Sequence, residues 1–222
     1  MNDQTSTLDW NEDGVPISQR FDDPYYSLQD GLAETRHVFL GGNDLPARFV
    51  DGFHVSELGF GTGLNLLATW HAWRDSNVDG TLHFTSFEAF PLDIAEMRQA
   101  LEAFPELAVL AGELLDALTP EGAQLKDLNF TLITGDARET LPAWREKADA
   151  WFLDGFSPAK NPELWEASLL SEVGAHTNLN GTFATYTAAG FVRRALSDAG
   201  FAVERVTGFG RKRHMSVGSK PA

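Results

Sequence analysis

A glycine-rich turn next to an acidic residue is the first feature of the sequence that could carry chemistry. The string ELGFGTG at 57–63 places Glu57 two residues before three glycines at alternate positions. Glycines with this spacing allow a tight turn and a close approach of the backbone to a ligand. The pattern differs from the G-x-G-x-x-G spacing that binds a pyrophosphate, and the Glu57 carboxylate suits a cationic ligand better than a diphosphate. The string therefore indicates a site for S-adenosylmethionine (SAM), which carries a sulfonium and an ammonium; the alternative is a plain glycine-rich turn.

Two further acidic residues stand where an adenosine could be bound. Glu88 comes 25 residues after Gly63, at the end of a predicted strand, and its carboxylate could accept hydrogen bonds from both ribose hydroxyls. Enzymes that use NAD place an acidic residue in the same way, so Glu88 does not by itself identify the cofactor. Asp136, in the string TGDA at 134–137, could accept a hydrogen bond from the adenine amino group. The alternative for Asp136 is a cap on the helix that begins at residue 137.

Asp154 is the candidate for the reacting end of the site. It directly follows the apolar string WFL at 151–153, where a charged group is costly unless it has a partner. A carboxyl pKa of about 4 makes a poor base for an ammonium of pKa about 10. If the group that accepts the methyl of SAM is an amine, we therefore expect Asp154 to orient its lone pair and to stabilise the ammonium that forms, with Phe156 bounding the pocket. The alternative is a structural role for Asp154 in a turn.

The elements that must position these residues alternate between strands and helices. Strands are predicted at 53–58, 82–88, 130–133, 150–154, 182–187, 201–206 and 214–217. Helices are predicted from residue 64, near 91–103 with Pro91 at its start, near 106–118, from 137, and through 191–196 up to Gly200. This order predicts an α/β fold with a mainly parallel seven-stranded sheet, an antiparallel last strand and helices on both faces. Ligands of such sheets bind beyond the carboxyl ends of the strands, where the acidic residues stand.

Length and composition limit the other classes of function. The 222 residues fit one domain, which we expect at 21–217, after a polar arm at 1–20 and before a tail or the start of a linker at 218–222. The absence of cysteine excludes thiol catalysis and disulfides, and the six histidines show no metal-ligand spacing, so we expect no metal. Neither a secretory signal nor an apolar run of roughly 18 residues is present, so we expect a cytoplasmic protein without a membrane span.

The charge is distributed unevenly along the chain. The whole chain carries −15, which by itself argues against a nucleic-acid partner. Residues 1–192 hold 10 basic and 30 acidic residues, a net charge of −20, whereas residues 193–222 hold 7 basic and 2 acidic residues, a net charge of +5. This asymmetry indicates a local site for an anionic partner, and the alternative is a solvated tail that balances an acidic body.

Longer strings resemble one family of class I SAM-dependent methyltransferases, whose fold is Rossmann-like. This family is the tRNA 5-methylaminomethyl-2-thiouridine methyltransferases, either of the stand-alone MnmD type or as the N-terminal half of the bifunctional MnmC enzymes. The similar strings are FDDPYYS at 21–27, GLAETRHVFL at 31–40 with Asn43 and Arg48, ELGFGTGLN at 57–65, DGFSPAKNPELW at 154–165, TFATYTAAGFVRRAL at 182–196 and GFGRKRHM at 208–215. The resemblance spans about residues 10–217.

The resemblance implies a substrate and a set of site residues. The implied reaction transfers a methyl group from SAM to 5-aminomethyl-(2-thio)uridine at the tRNA wobble position, with Asp154 and Phe156 at the amine. The implied cofactor contacts are Tyr26, Glu57, Gly59, Phe60, Gly61, Thr62, Gly63, Asn65, Glu88, Asp136 and Asp154. The implied tRNA contacts are Lys160, Arg193, Arg194, Arg211, Lys212 and Arg213. The implied partners are a tRNA anticodon stem-loop and a separate or fused flavin-dependent oxidoreductase that prepares the amine, and we expect a monomer.

Three other hypotheses remain open. The same SAM chemistry could serve a small-molecule or protein amine, in which case the basic C-terminal cluster would be dispensable. A nicotinamide oxidoreductase is disfavoured by Glu57 and by the glycine spacing. A non-catalytic SAM-binding scaffold would bind the cofactor without turnover.

Overall fold

The chain forms two β-sheets in the computed structural model, which describes residues 8–27 and 30–222. A small antiparallel sheet near the start of the chain contains β1 (Leu8–Trp10), β2 (Pro16–Ser18) and β3 (Asp23–Pro24). The main sheet contains β4 (His54–Leu58), β5 (Leu82–Glu88), β6 (Gly122–Gln124), β7 (Leu128–Thr134), β8 (Ala148–Leu153), β9 (Thr177–Thr185), β10 (Ala202–Thr207) and β11 (His214–Ser219). Its strand order is β10-β11-β9-β8-β4-β5-β7-β6.

The main sheet confirms the predicted α/β fold and corrects its strand count. Strands β4, β5, β7, β8 and β9 are mutually parallel, and β11 runs antiparallel to both β9 and β10. The prediction of seven strands is wrong by one within the described residues, because β6 adds an eighth strand, antiparallel to β7. A strand of three residues is too short to show a period-2 pattern in the sequence.

Seven α-helices lie among the described residues: five match predicted helices, two of them with later starts, and α1 and α6 were not predicted from the sequence. They are α1 (Gly31–Thr35), α2 (Leu64–Ser76), α3 (Ile94–Leu101), α4 (Ala108–Ala117), α5 (Ala137–Ala143), α6 (Ala167–Ala175) and α7 (Gly190–Asp198). Helix α3 begins at Ile94 rather than at Pro91, because Asp93 and Glu96 form a capping box that fixes its first turn. Helix α4 begins at Ala108 rather than 106, after a turn of 3-10 helix at Pro105–Leu107.

Two apolar layers cover the two faces of the main sheet, which confirms helices on both faces. Trp70 and Trp73 of α2 pack in one layer with Phe84 and Phe152. The other layer joins Trp151, Trp165, Leu170, Phe183 and Leu196. Helices α2 to α4 therefore lie on one face of the sheet and α5 to α7 on the other.

The ends of the described chain are built into the structure. Residues 8–18 form the hairpin of β1 and β2, although the sequence predicts an arm without a core at 1–20; residues 1–7 of that arm lie outside the described residues. Strand β11 continues to Ser219, two residues beyond the expected end of the domain at 217. Among the described residues, no helix combines the length and the apolar character that a membrane crossing requires.

Candidate active site

Two adjoining cavities open at the carboxyl ends of the parallel strands. Their volumes are about 650 and about 600 Å³, and both are lined by Gly59, Glu88, Gly155 and Phe156. They form one cleft at the end of the sheet where the sequence places the acidic residues. This location is where open parallel sheets bind their ligands.

The glycine-rich turn after β4 forms part of the cleft surface. Gly59, Gly61 and Gly63 have φ values of +87°, +53° and +81°, which lie in the left-handed region that favours glycine. A Cβ on Gly59 would lie 3.2 Å from Gly155 Cα, and a Cβ on Gly61 would lie 3.2 Å from the Tyr25 ring. A side chain at either position would press against these neighbours, so glycine leaves backbone at the cleft surface, which fits a ligand that needs close backbone contact. Phe60 and Thr62 also line the cleft, whereas the predicted contact Gly63 caps α2.

Glu88 stands at the junction of the two cavities. Its Oε2 accepts a hydrogen bond from the Gly61 backbone N–H over 3.1 Å, and its Oε1 accepts one from the Phe90 N–H over 2.8 Å. Burial raises the pKa of Glu88, and these backbone donors oppose the rise. These contacts hold the carboxylate in one orientation at the cleft, and its contact with the ribose hydroxyls stays a prediction.

Asp136 lines the larger cavity and also caps a helix. Its side chain accepts a hydrogen bond from the Arg138 N–H at the start of α5, over 2.9 Å, and the Arg138 guanidinium lies 2.6 Å from Asp136 Oδ2. The Arg138 hydrogen bond lowers the pKa of Asp136. The capping alternative from the sequence is therefore what the structure shows, and the adenine contact stays a prediction.

Asp154 lies at the end of β8 and lines the smaller cavity together with Phe156 and Tyr186. Its Oδ1 accepts a hydrogen bond from the Gly155 N–H over 2.8 Å, and its Oδ2 accepts one from Asn65 Nδ2 over 2.8 Å. Burial raises the pKa of Asp154 to about 6, against these hydrogen bonds, which lower it. This value is closer to neutrality than the ordinary aspartate value on which the sequence prediction rests.

Glu57 does not line the cleft, which corrects its predicted place. Its side chain is fully buried beneath Asn65, whose Nδ2 donates to Glu57 Oε1 over 2.8 Å; Ser86 Oγ donates to Oε2 over 2.8 Å. Burial raises the pKa of Glu57 well above its usual value. The Asn65 amide bridges Glu57 and Asp154, and a contact between Glu57 and the cofactor stays a prediction.

Residues 20–27 cover one side of the cleft. Phe21 stacks on Phe156, and Tyr26 lines the smaller cavity as predicted, while its hydroxyl donates to the Ala100 carbonyl over 3.1 Å. Burial raises the pKa of Tyr26 to about 12, so its hydroxyl stays protonated. Lys160 pairs with Asp22, 3.1 Å from its Oδ2, so the predicted tRNA contact at Lys160 already has an acidic partner.

The basic loop between β10 and β11 lies at the opposite side of the smaller cavity. Arg211 and Lys212 line that cavity, and Lys212 Nζ lies 2.9 Å from Glu34 Oε1 and 4.1 Å from the centre of the Tyr186 ring. Arg213 is exposed in the same loop. Arg193 and Arg194 lie near the start of α7, outside the residues that line the two cavities.

Several cleft residues carry no role in the sequence prediction. Glu34, Thr35 and Tyr186 line the smaller cavity. All three fall within the strings that carry the family resemblance, which is the signal that could have identified them. The spacing of residues within a motif does not identify them, because each residue lies far along the chain from the glycine-rich turn.

The site does not contain a metal centre in the described part of the chain. No group of three or more His, Cys, Asp or Glu side chains there is arranged to hold a metal ion. SAM, in contrast, fits the donors present: a glycine turn open to backbone contact, Glu88 at the junction and Asp154 beyond it. The aromatic rings of Phe21, Phe90 and Phe156 supply apolar walls.

Comparisons with known proteins agree with this site. A family model described as S-adenosyl-L-methionine-dependent methyltransferase matches residues 107–221, more than half of the chain. The tRNA 5-methylaminomethyl-2-thiouridine biosynthesis bifunctional protein MnmC of Stutzerimonas stutzeri is 45% identical over 97% of this chain and 34% of its own length. The protein of the same name from Marinobacter nauticus is 46% identical over 98% of this chain and 37% of its own length. The chain thus spans about a third of the length of these curated relatives.

Solved structures of methyltransferases also match the fold of this chain. The crystal structure of MnmC2 from Aquifex aeolicus matches with a TM-score of 0.77 and 27% identity, over 100% of this chain and 73% of that one. TrmN from Thermus thermophilus shares the fold, with a TM-score of 0.54 and 20% identity over 92% of this chain and 53% of its own. The chain belongs to the S-adenosyl-L-methionine-dependent methyltransferases, and its cofactor is SAM.

Proposed function

We propose that this chain methylates the amine of 5-aminomethyl-(2-thio)uridine at the wobble position of tRNA, as an N-methyltransferase. The observation that carries the proposal is Asp154, a half-buried carboxylate at the end of β8 that lines the smaller cavity. A carboxylate in this place can accept a hydrogen bond from an amine and stabilise the positive charge that develops on nitrogen. The bifunctional relatives are named for the biosynthesis of this nucleoside in tRNA.

The cofactor would be held along the carboxyl edge of the sheet. Backbone of the turn at 59–63 would approach the methionine part, Glu88 would accept the ribose hydroxyls, and Asp136 would face the adenine edge. SAM supplies a methyl group on a positively charged sulfur, which makes that carbon reactive toward an amine. Asn65 lines the same cavity as Asp154, which supports the predicted contact of Asn65 with the cofactor, and it bridges Asp154 to Glu57.

The chain's part in the transfer is to aim the nucleophile. The amine nitrogen would accept the methyl group that SAM supplies, the sulfur would keep the electron pair of the broken bond, and the nitrogen would then release one proton. Asp154, by accepting an amine N–H, would direct the nitrogen lone pair toward the methyl carbon. Its pKa of about 6 keeps Asp154 mainly ionised near neutral pH. The same pKa is closer to that of the ammonium whose proton Asp154 would accept than an ordinary aspartate pKa is.

The acceptor end of the proposal rests on the basic loop. Phe209, Arg211 and Lys212 line the same cavity as Asp154, so cationic side chains stand beside the reacting carboxylate. This arrangement suits an RNA whose phosphates approach from the loop and whose modified base enters the cavity. Arg193, Arg194 and Arg213 would extend this contact toward an anticodon stem-loop. A flavin-dependent oxidoreductase, fused or separate, would supply the amine.

We also propose that the protein is monomeric and cytoplasmic. Its one methyltransferase domain would span residues 21–217.

Substitution of Asp154 tests the proposal. Asp154→Ala is expected to bind SAM within about threefold of the wild-type affinity by calorimetry, while methyl transfer to tRNA lacking this methylation falls on the order of a hundredfold or more. Asp116→Ala removes an exposed aspartate of α4 and serves as the matched control, with both quantities unchanged.

Two other outcomes would contradict parts of the proposal. Unchanged turnover of Asp154→Ala would remove the assigned role of this carboxylate. Transfer to free amines or to protein with none to tRNA would favour the small-molecule or protein alternative.

A further inference from the structure

Two buried side chains, Thr35 and Asn65, connect α1 to Asp154 at the reacting end of the cleft. Thr35 Oγ1 lies 2.8 Å from Asn65 Oδ1, and Asn65 Nδ2 lies 2.8 Å from both Glu57 Oε1 and Asp154 Oδ2. Thr35 is 4% exposed and Asn65 is 7% exposed. The mechanism proposed above does not use Thr35.

Hydrogen-bond chemistry fixes the orientation of the Asn65 amide. While Asp154 is ionised its Oδ2 can only accept, so the amide NH₂ group faces it, and the second N–H of that group is donated to Glu57 Oε1. The amide oxygen must then face Thr35, so the Thr35 hydroxyl must donate. A flipped amide would place its oxygen against the Asp154 carboxylate, which costs that hydrogen bond and adds repulsion.

We propose that Thr35 is a positioning residue, whose hydroxyl holds the Asn65 amide in the one orientation that directs a donor to Asp154 Oδ2. This proposal rests on the proposed function, because it assigns Thr35 to the carboxylate that aims the amine. Thr35 acts through Asn65 and does not contact the reacting atoms. Asp154 Oδ1 accepts the Gly155 N–H over 2.8 Å, and Asp154 Oδ2 accepts the Asn65 amide. The orientation of Asn65 therefore decides whether the second oxygen of Asp154 has a donor.

The charged surroundings of Asp154 set the sign of the expected change. Glu57 faces it from β4, Glu34 from α1, Lys212 from the loop between β10 and β11, and the Tyr186 hydroxyl from the segment after β9. The Asn65 hydrogen bond lowers the pKa of Asp154, against the rise that burial causes. Loss of that donor should therefore move the pKa of Asp154 upward.

A pair of substitutions separates the hydroxyl from the shape of the side chain. Thr35→Val keeps the shape and removes the donor, whereas Thr35→Ser keeps the donor and removes a methyl group. Thr69→Val is the matched control, since Thr69 Oγ1 donates to the backbone carbonyl of Asn65 over 2.7 Å and is equally buried. Should Thr35→Val fail to fold, Thr35→Ala replaces it.

The first measurement needs no acceptor. Titration of ¹³C-labelled aspartate carboxyl groups by NMR, in the full chain, follows Asp154, with Asp154→Asn used to assign the signal. Thr35→Val is expected to raise the Asp154 midpoint by about half a pH unit to one unit, while Thr35→Ser and Thr69→Val leave it within about 0.2 unit. An unchanged midpoint in Thr35→Val, or an equal shift in Thr69→Val, overturns the proposal.

The second measurement is turnover. Thr35→Val is expected to lower kcat for methyl transfer about tenfold, with the acid limb of the pH profile displaced to higher pH and SAM affinity within about threefold; Thr35→Ser restores both. If the wild-type chain methylates no tRNA, the proposed function fails, and the NMR titration still decides whether Thr35 positions Asp154.

Discussion

Phe21 stacks on Phe156, with ring centroids 4.6 Å apart and an interplanar angle of 25°. The two residues are 135 positions apart in the sequence, and Phe156 lies two residues after Asp154. Asp23 Oδ2 accepts a hydrogen bond from the Ser157 N–H over 2.9 Å, and Lys160 pairs with Asp22. Residues 21–23 therefore form a clasp that holds the loop after β8 and covers the cleft.

Loosening this clasp should speed cofactor release. Lys160→Met removes the ion pairs of Lys160 with Asp22 and Asp23, while the Phe21 stack remains, so the expected effect is a SAM dissociation rate about two- to fivefold higher. Stopped-flow fluorescence, with displacement of bound SAM by its demethylated product, measures this rate.

The control for the clasp is Lys126→Met, which removes an exposed lysine from the β6–β7 turn. Its dissociation rate should equal that of the wild-type protein. Equal rates for Lys160→Met and Lys126→Met would show that the clasp does not restrain the cofactor.

Gly59 and Gly52 offer a matched test of the glycine-rich turn. Both have φ near +80°, so alanine is strained at each by roughly 1 kcal/mol or more, but only Gly59 lies in the cleft, where its Cβ would approach Gly155. Gly59→Ala is expected to weaken SAM binding at least tenfold in calorimetry. Gly52→Ala, whose Cβ would meet open space, should lose similar stability and keep the wild-type affinity. Equal SAM affinities for the two variants would remove Gly59 from the cofactor site.

The basic loop predicts a salt-dependent tRNA affinity. If Arg211 and its neighbours contact phosphates, the slope of log K against log salt concentration should be on the order of −2 to −4, and Arg211→Ala should make it shallower by about one. Filter binding or fluorescence anisotropy over a range of salt concentrations measures the slope, with Lys126→Ala as the control. Affinity that does not respond to salt would argue against tRNA as the partner.

His54, at the opposite end of the sheet, predicts a pH dependence of stability. The pKa of His54 is lowered to about 4. Burial is the larger cause and the neighbouring His83 is the second, while Asp149 opposes the shift. The unfolded state then binds a proton more readily than the folded state between about pH 6.5 and 4, so this contribution to stability is present above pH 6.5 and lost as the pH falls.

His54→Gln isolates that contribution, because glutamine can keep a hydrogen bond to the Thr85 hydroxyl, which lies 2.9 Å from His54 Nε2. From pH 7 to pH 5, urea unfolding should show the wild-type protein losing about 2 kcal/mol more than His54→Gln. Parallel losses in the two proteins would contradict the lowered pKa of His54.

Much of the fold follows from local patterns. Strands β5, β8 and β10 lie within a few residues of their predicted positions, and the alternation of strands and helices correctly indicates a parallel sheet. The antiparallel edge of β10 and β11 was predicted from the absence of a helix between them. Strand β6 was missed, because three residues carry too little pattern.

The side-chain arrangement of the site was less predictable. All five residues of β4 are buried, so no alternation of polar and apolar positions distinguished Glu57, which lies beneath the cleft, from a residue that lines it. The contact of Thr35 with Asn65 joins residues 30 positions apart and depends on how α1 packs against α2. Such contacts arise from tertiary packing, which spacing within one motif does not encode.

The identity of the methylated nucleoside decides whether this chain methylates the wobble uridine of tRNA. The full chain is incubated with labelled SAM and tRNA from cells that lack this modification, and the tRNA is digested and its nucleosides separated by liquid chromatography and mass spectrometry. We expect the wild-type chain to place label in 5-methylaminomethyl-(2-thio)uridine at the wobble position. We expect Asp154→Ala to leave this nucleoside without label. Label in any other nucleoside, or no label in tRNA, would contradict the proposed function.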